Sequence, residues 1–369
     1  MLKRLGAPQL IGSAAIVIGL GLVSLYSASA VRAELVFGSS TTYLLRQLEG
    51  LALGLAAGAI AASLPLPVLR KFAFVGWGIT TLLLAATLTP LGVQHHGAQR
   101  WLDIAGLSFQ PLEFAKLGLV LGLASWLSSH EKELHRARIS LGVPALLASI
   151  PAGLLLLQPD FGGATILLGF TLVLVFVAGA RLSHLATAAA LALPPLALIA
   201  ISEPYRWSRL RSFVDPFADA TNHGYQLVQS LLAFGIGGTF GSGIGAGQQK
   251  LGFLPEAHTD FILSVVGEEM GLVGVAGVLG LFGLMGVASL GIASRARDSF
   301  SMLLATGASL LLWMQACLNA GVAMGLLPTK GATLPLFSYG RSSIVASLIA
   351  IGLLLNVARP RASRRRGWR

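Results

Sequence analysis

Ten apolar stretches separated by polar joints set the rhythm of this 369-residue chain. They run 10–30, 44–64, 72–91, 112–129, 141–157, 161–180, 184–202, 261–292, 301–326 and 336–357. About 20 apolar helical residues cross the roughly 30 Å hydrocarbon layer of a bilayer. The pattern therefore predicts ten membrane-spanning helices. The stretch 261–292 is long enough to tilt or to project from the membrane, whereas 141–157 is short and turns into the next through Gln158, Pro159 and Asp160. Two longer polar segments interrupt the pattern, Gly92 to Gln110 and Glu203 to Asp260. Loops of that length in a compact membrane protein usually carry function.

Composition agrees with the pattern. The chain is 54% hydrophobic and 11% charged, against about 25% charged in soluble domains. Its 45 glycines suit close approach of helices in lipid. Cys317 is the single cysteine, so no internal disulfide can form. The net charge of +11 raises the question of nucleic acid, but the basic residues lie in short joints and a tail between apolar stretches, which is a topological pattern.

With a cytoplasmic N-terminus, the inside segments hold Lys3, Arg4, Arg70, Lys71, Lys132, Arg136, Arg138, Arg181, Arg295, Arg297 and the six arginines from Arg359 to Arg369. They hold only three acidic residues, Glu131, Glu133 and Asp298. The positive-inside rule thus places both termini in the cytoplasm and both long loops outside. Lys3, Arg4 and Ala28-Ser29-Ala30 imitate a signal peptide, yet the apolar stretch Leu10 to Ala30 exceeds the usual 7–15-residue core of one, and an uncleaved first span is expected. The whole chain reads as one polytopic domain whose basic tail, 358–369, rests against anionic lipid.

Ionisable groups near a bilayer are costly unless they are hydrated, paired or used. Glu256, His258, Asp260, Glu268 and Glu269 cluster where the second long loop enters an apolar helix. Asp260 fits two readings: an N-cap of that helix, or a general base whose pKa is raised by desolvation. Glu113 and Lys116, three apart behind Pro111, are either an intrahelical ion pair or a pair lining a substrate cavity, with the lysine holding a diphosphate. Arg100, Arg206, Arg209, Arg211 and Lys250 are either lipid-facing surface charges or an anion cradle, the middle three interleaved with Tyr205, Trp207 and Phe213. The glycines from Gly235 to Gly247 lack the strand and acidic residue of a dinucleotide loop and read as a flexible outer segment. His258 has no second histidine or cysteine at metal-ligand spacing, so a structural histidine is the better reading and no metal site is expected.

In this order on ten spans, several motifs resemble the SEDS family (shape, elongation, division, sporulation), the bacterial cell-wall polymerases of the FtsW and RodA type. They are Arg100-Trp101, Phe109-Gln110-Pro111 with Glu113-x-x-Lys116, Gln158-Pro159-Asp160-Phe161-Gly162, Gly224-Tyr225-Gln226 with Gln229-Ser230, Gln249-Lys250-Leu251, Leu254 to Ile262, Gly267-Glu268-Glu269 and Leu327-Pro328-Thr329-Lys330-Gly331. The wordings Pro-Glu-Ala-His-Thr-Asp-Phe and Leu-Pro-Thr-Lys-Gly resemble the division branch, FtsW, more than the elongation branch, RodA. Two positions depart: Arg341 stands where the family has glycine in Ser-Tyr-Gly-Gly-Ser-Ser, and Gln248 where serine is common.

The resemblance implies an all-α bundle of ten transmembrane helices that polymerises lipid II at the outer face of the cytoplasmic membrane. It implies Asp260 as the essential aspartate, and substrate contacts from Arg100, Glu113, Lys116, Arg206, Arg209, Arg211, Lys250, Glu256, His258 and Lys330. It further implies a class B penicillin-binding protein as partner, with other divisome proteins and membrane lipid. No tightly bound cofactor is expected, although Mg or Mn can share the diphosphate charge. The rival readings are a lipid II flippase, which interrupted helices near midplane would favour, and a non-catalytic division scaffold.

Overall fold

The computed structural model describes residues 6–95, 98–104, 107–222 and 224–359. The helices are α1 (Ala7–Phe37), α2 (Thr42–Ser63), α3 (Leu66–Lys71), α4 (Ala73–Ala86), α5 (Pro111–Ser129), α6 (Val143–Leu157), α7 (Phe161–Val177), α8 (Leu182–Ser202), α9 (Pro204–Val214), α10 (Tyr225–Gly237), α11 (Ile262–Ala293), α12 (Ser299–Ala323) and α13 (Arg341–Ala358). Among the described residues eight are long and apolar enough to cross a membrane, α6 with the π-helical turn Arg138–Gly142 before it; α4 and α7 are shorter apolar helices on the third and sixth expected spans. The basic tail beyond Arg359, and Lys3 and Arg4, lie outside the described residues.

Small residues set the packing. Gly50, Gly54 and Gly58 form one stripe of α2 and press it onto α13: a Cβ on Gly54 would meet Leu348 Cδ1 at 2.6 Å, and one on Gly58 would meet the Leu348 carbonyl at 2.6 Å. In lipid, where apolar surface gains nothing by leaving the tails, such close backbone approach is what holds helices together. Asn356 locks the far end of the same pair by donating to the carbonyls of Ala61 and Leu64. By contrast α8, with Pro194 and Pro195 inside it, buries no side chain and lies at the rim against α7 and α9.

All the longer connections gather at one end of the bundle, and they are more structured than the sequence predicts. Three strands, β1 (Gly92–His95), β2 (Ala98–Ile104) and β3 (Leu107–Phe109), form an antiparallel sheet with a bulge between Val93 and Gln94. The segment 203–260 contains α9 and α10, and its glycines are anchored rather than free. Helix α11 is broken at Gly271 (φ 64°, ψ −164°), a conformation glycine adopts without penalty. The backbone groups released there are met by the glycine segment: Leu272 and Val273 N–H donate to the carbonyls of Gly238 and Thr239, while Ser242 and Gly243 N–H donate to those of Glu268 and Glu269. No feature of the apolar stretch 261–292 marks this break. Counting about 20 residues back from Ala293 reaches the break itself, so the first segment of α11 projects beyond a membrane span.

Candidate functional site

Asp260 lies in a tight turn that delivers the chain into α11. Glu256 adopts the left-handed region (φ 55°), and its carbonyl accepts from Thr259 N–H at 3.1 Å and Phe261 N–H at 3.3 Å. A left-handed non-glycine residue stores strain of order 1–3 kcal/mol and persists only where its surroundings hold it. The N-cap of α11 is Phe261, with no side-chain cap. Asp260 therefore does not cap the helix.

The Asp260 side chain is recessed but not sealed. Burial, and secondly the Glu256 carboxylate, push it from the ordinary 3.8 up to about 7, against the opposing pull of Arg209 and Lys330. Arg209 reaches over from α9 and donates to the Thr329 carbonyl at 3.2 Å. Lys330, on the same loop between α12 and α13, lies across Gly162, where a Cβ would strike its alkyl chain. Burial lowers Lys330 from 10.5 to about 8; Asp160 and Glu113 oppose this and the charges of Lys116 and Arg100 add to it. A carboxylate and an ammonium both poised near neutrality thus act on one another at the loop-rich end.

The segments around these two residues are fastened by the other motifs. Arg100, on β2, donates to the carbonyls of Gln158 (3.3 Å) and Pro159 (2.6 Å), fixing the turn from which Asp160 caps α7 through Gly163 N–H at 2.8 Å. Glu113 and Lys116 form a buried pair at 2.7 Å, and Gln315 of α12, with its amide oriented to suit both neighbours, accepts from Lys116 and donates to the Leu311 carbonyl. The cavity beside them is about 10 Å³, room for about one water. The expected substrate-lining pair is instead closed off between helices, from where its charges bear on Lys330.

Lys250 differs more sharply from an anion cradle. Its ammonium donates to Ser27 Oγ at 2.8 Å, the Gly245 carbonyl at 2.7 Å and Glu269 Oε1 at 2.6 Å. A lysine has three donors, and all three are taken. Glu268, also buried, accepts from the backbone N–H groups of Gln248 (2.7 Å) and Gln249 (3.2–3.3 Å). The two glutamates fasten the glycine segment to α11. Gln248 uses only its backbone here and its side chain is exposed, which explains why the departure from serine is tolerated.

Arg341 is accommodated as well: it opens α13 over Gly50 and turns its guanidinium toward Glu49, 3.8 Å away. His258 is packed against Tyr43 (ring centroids 4.7 Å apart) and Tyr339 (5.8 Å). Burial lowers it to about 4, so it is neutral. Glu256 faces Arg32 at 3.6 Å, and Arg211 is exposed and stacked on Trp207. The Arg206 side chain lies outside the described residues. Among the described residues no three His, Cys, Asp or Glu side chains converge as a metal site.

Sequence reasoning passed over Asn319. Its Nδ2 donates to the carbonyls of Asp260 (2.8 Å) and Ala332 (2.6 Å). The available signal was an amide in an apolar stretch, one of two with Gln315 in 301–326.

The family model described as "Cell cycle protein", covering FtsW, RodA and SpoVE, matches residues 8–363. The chain belongs to this FtsW/RodA/SpoVE family. Relatives named probable peptidoglycan glycosyltransferase FtsW include one from Thioalkalivibrio sulfidiphilus, 43% identical over 93% of this chain and 86% of its own length. Another, from Coxiella burnetii, is 41% identical over 92% of this chain and 93% of its own length. Among solved structures, a chain of a peptidoglycan synthase complex described as coordinating polymerization and crosslinking superposes with a TM-score of 0.77 at 36% identity, covering 95% of this chain and 96% of that one. The rod shape determining protein RodA of Thermus thermophilus gives 0.70 at 35% identity, with 95% of each chain covered. The FtsW/RodA/SpoVE bundle is therefore the frame in which Asp260 sits.

Proposed function

We propose that this chain is a peptidoglycan glycosyltransferase of the division type, FtsW-like, which polymerises lipid II at the outer face of the cytoplasmic membrane. The observation that carries the reading is Asp260: uncapped, recessed and held near pH 7 beside Arg209 and Lys330. Asp260 takes the proton from an acceptor sugar hydroxyl as that oxygen bonds to the anomeric carbon of the lipid-linked glycan. The bond from that carbon to the diphosphate breaks, and its electron pair leaves with undecaprenyl diphosphate, steadied by Lys330 and Arg209. A divalent cation would enter with the diphosphate rather than on a protein cage. The polyprenyl tail is assigned to a groove of about 600 Å³ between α1 and α11, lined by Leu20, Phe240, Ile244, Met270 and Val273.

The break in α11 does not favour a flippase, because it falls at the end of a span rather than at midplane. The solved synthase complex supports a crosslinking penicillin-binding protein as partner, bound within the membrane. Orientation rests on charge: both termini are cytoplasmic and the site is outside. A cysteine replacing Gly243 in a Cys317→Ser background will label with an impermeant thiol reagent in spheroplasts, and one replacing Ser363 will not; the reverse pattern inverts the protein.

The rate is expected to follow a narrow bell-shaped pH profile. Polymerisation rises with pH through about 7 as Asp260 ionises and falls above about 8 as Lys330 loses its proton. Removing the Glu256 charge with Glu256→Gln moves the acid limb down. The stability signs run the other way. Asp260, raised in the fold, contributes stability below its ordinary 3.8 that is lost as pH rises through 7; Lys330, lowered, contributes above 10.5 and loses it as pH falls through 8. The working state is thus the one folding favours least. An acid limb near pH 4, measured on purified protein, contradicts the assignment.

A further inference from the structure

Two loops supply the proposed chemistry: the turn before α11 carries Asp260, and the α12–α13 loop carries Lys330. Their backbones meet at one side chain. Asn319, almost fully buried near the end of α12, donates to the carbonyl of Asp260 at 2.8 Å and to that of Ala332 at 2.6 Å. The two carbonyl oxygens would otherwise face each other across a gap with no donor, which is unfavourable for buried acceptors. The orientation of the amide is fixed, because turning it over would set Oδ1 against both carbonyls. Its Oδ1 is buried without a partner among the described residues, so the site sacrifices one acceptor to keep both donors on the two loops. Gly331 shows how close the loops lie: a Cβ there would stand 3.0 Å from Asp260 Oδ2. Tyr339 N–H, donating to the His258 carbonyl at 3.0 Å, is a second tie between the same segments farther from the carboxylate.

We infer that Asn319 is a positioning residue that keeps the base and the leaving-group loop in register, setting the distance between Asp260 and Lys330. This rests on the reading of Asp260 as the base. The groups acting on the Asp260 carboxylate are Glu256 from its own turn, Arg209 from α9 and Lys330 from the clasped loop. Releasing the clasp withdraws Lys330, and with it part of the pull that holds the carboxylate ionised.

The test is Asn319→Leu, similar in size and without donors, in purified protein with lipid II. A displacement of about 1 Å at a reacting centre can cost on the order of a hundredfold, so kcat is expected to fall by that order while KM changes little. The acid limb is expected to move above 7. A general loss of folded protein lowers the amplitude of the profile and leaves the limb in place, so the limb separates positioning from mere stability. If the leucine variant does not fold, Asn319→Ser carries the same expectation, since a hydroxyl offers one donor where two are needed and adds no charge of its own. Wild-type kcat in either variant, or an unmoved acid limb, overturns the inference. Full turnover in Asp260→Asn overturns the base assignment instead, and leaves the Asn319→Leu rate as the independent measure of the clasp.

Discussion

Asp260→Asn is expected to abolish glycan polymerisation while the protein expresses and folds. Asparagine keeps the size of the side chain and its hydrogen-bonding capacity, and α11 draws no cap from this position, so nothing in the fold is lost. What disappears is the titratable oxygen. General base catalysis contributes about 10²–10⁴-fold, and the variant should fall by that order at every pH, with Asp260→Ala no better. Turnover within a few-fold of wild type in Asp260→Asn returns the residue to a structural role.

The second large effect concerns the fastening of the glycine segment. Lys250→Met leaves the Glu269 carboxylate buried and unpaired, which costs about 3–5 kcal/mol in comparable buried pairs. Unless the side chain is neutralised, the segment 238–250 should detach from α11, and both melting temperature and turnover should drop. Adding Glu269→Gln removes the orphaned charge and keeps an acceptor for Ser27, which donates to Glu269 Oε1 at 2.7 Å. Most of the loss is then expected to be recovered in the double variant. If Lys250 instead held the substrate diphosphate, neutralising Glu269 would restore nothing. Thermal melts and lipid II turnover of the two single variants and the double variant decide between these roles.

The bundle was readable from the sequence because run length and charge asymmetry are one-dimensional signals: apolar stretches of membrane length fall where the helices are. Sequence could not show where those helices stop being regular. In a chain with 45 glycines, nothing marks Gly271 out as the one that breaks α11, since the carbonyls of Gly238 and Thr239 that take up the N–H groups of Leu272 and Val273 are brought there only by folding. The same limit applies to the site. Asp260 stood out by its position, but whether it capped α11 depended on a turn whose key residue, Glu256, is left-handed. Lys250 reads in the sequence as a surface charge or part of an anion cradle because Ser27, its partner, lies 223 residues away along the chain. The pair Glu113–Lys116 was visible from its spacing, whereas its enclosure by Gln315 was not. Local pattern found the ionisable residues, and tertiary contact decided which of them still have a hand free.

The measurement that bears most directly on the proposed activity is the product of the purified protein given labelled lipid II in liposomes at pH 7.5, with and without a crosslinking partner. The account predicts a ladder of glycan strands and release of undecaprenyl diphosphate, both absent with Asp260→Asn. Movement of intact lipid II between leaflets, with no ladder even when the partner is present, would contradict it.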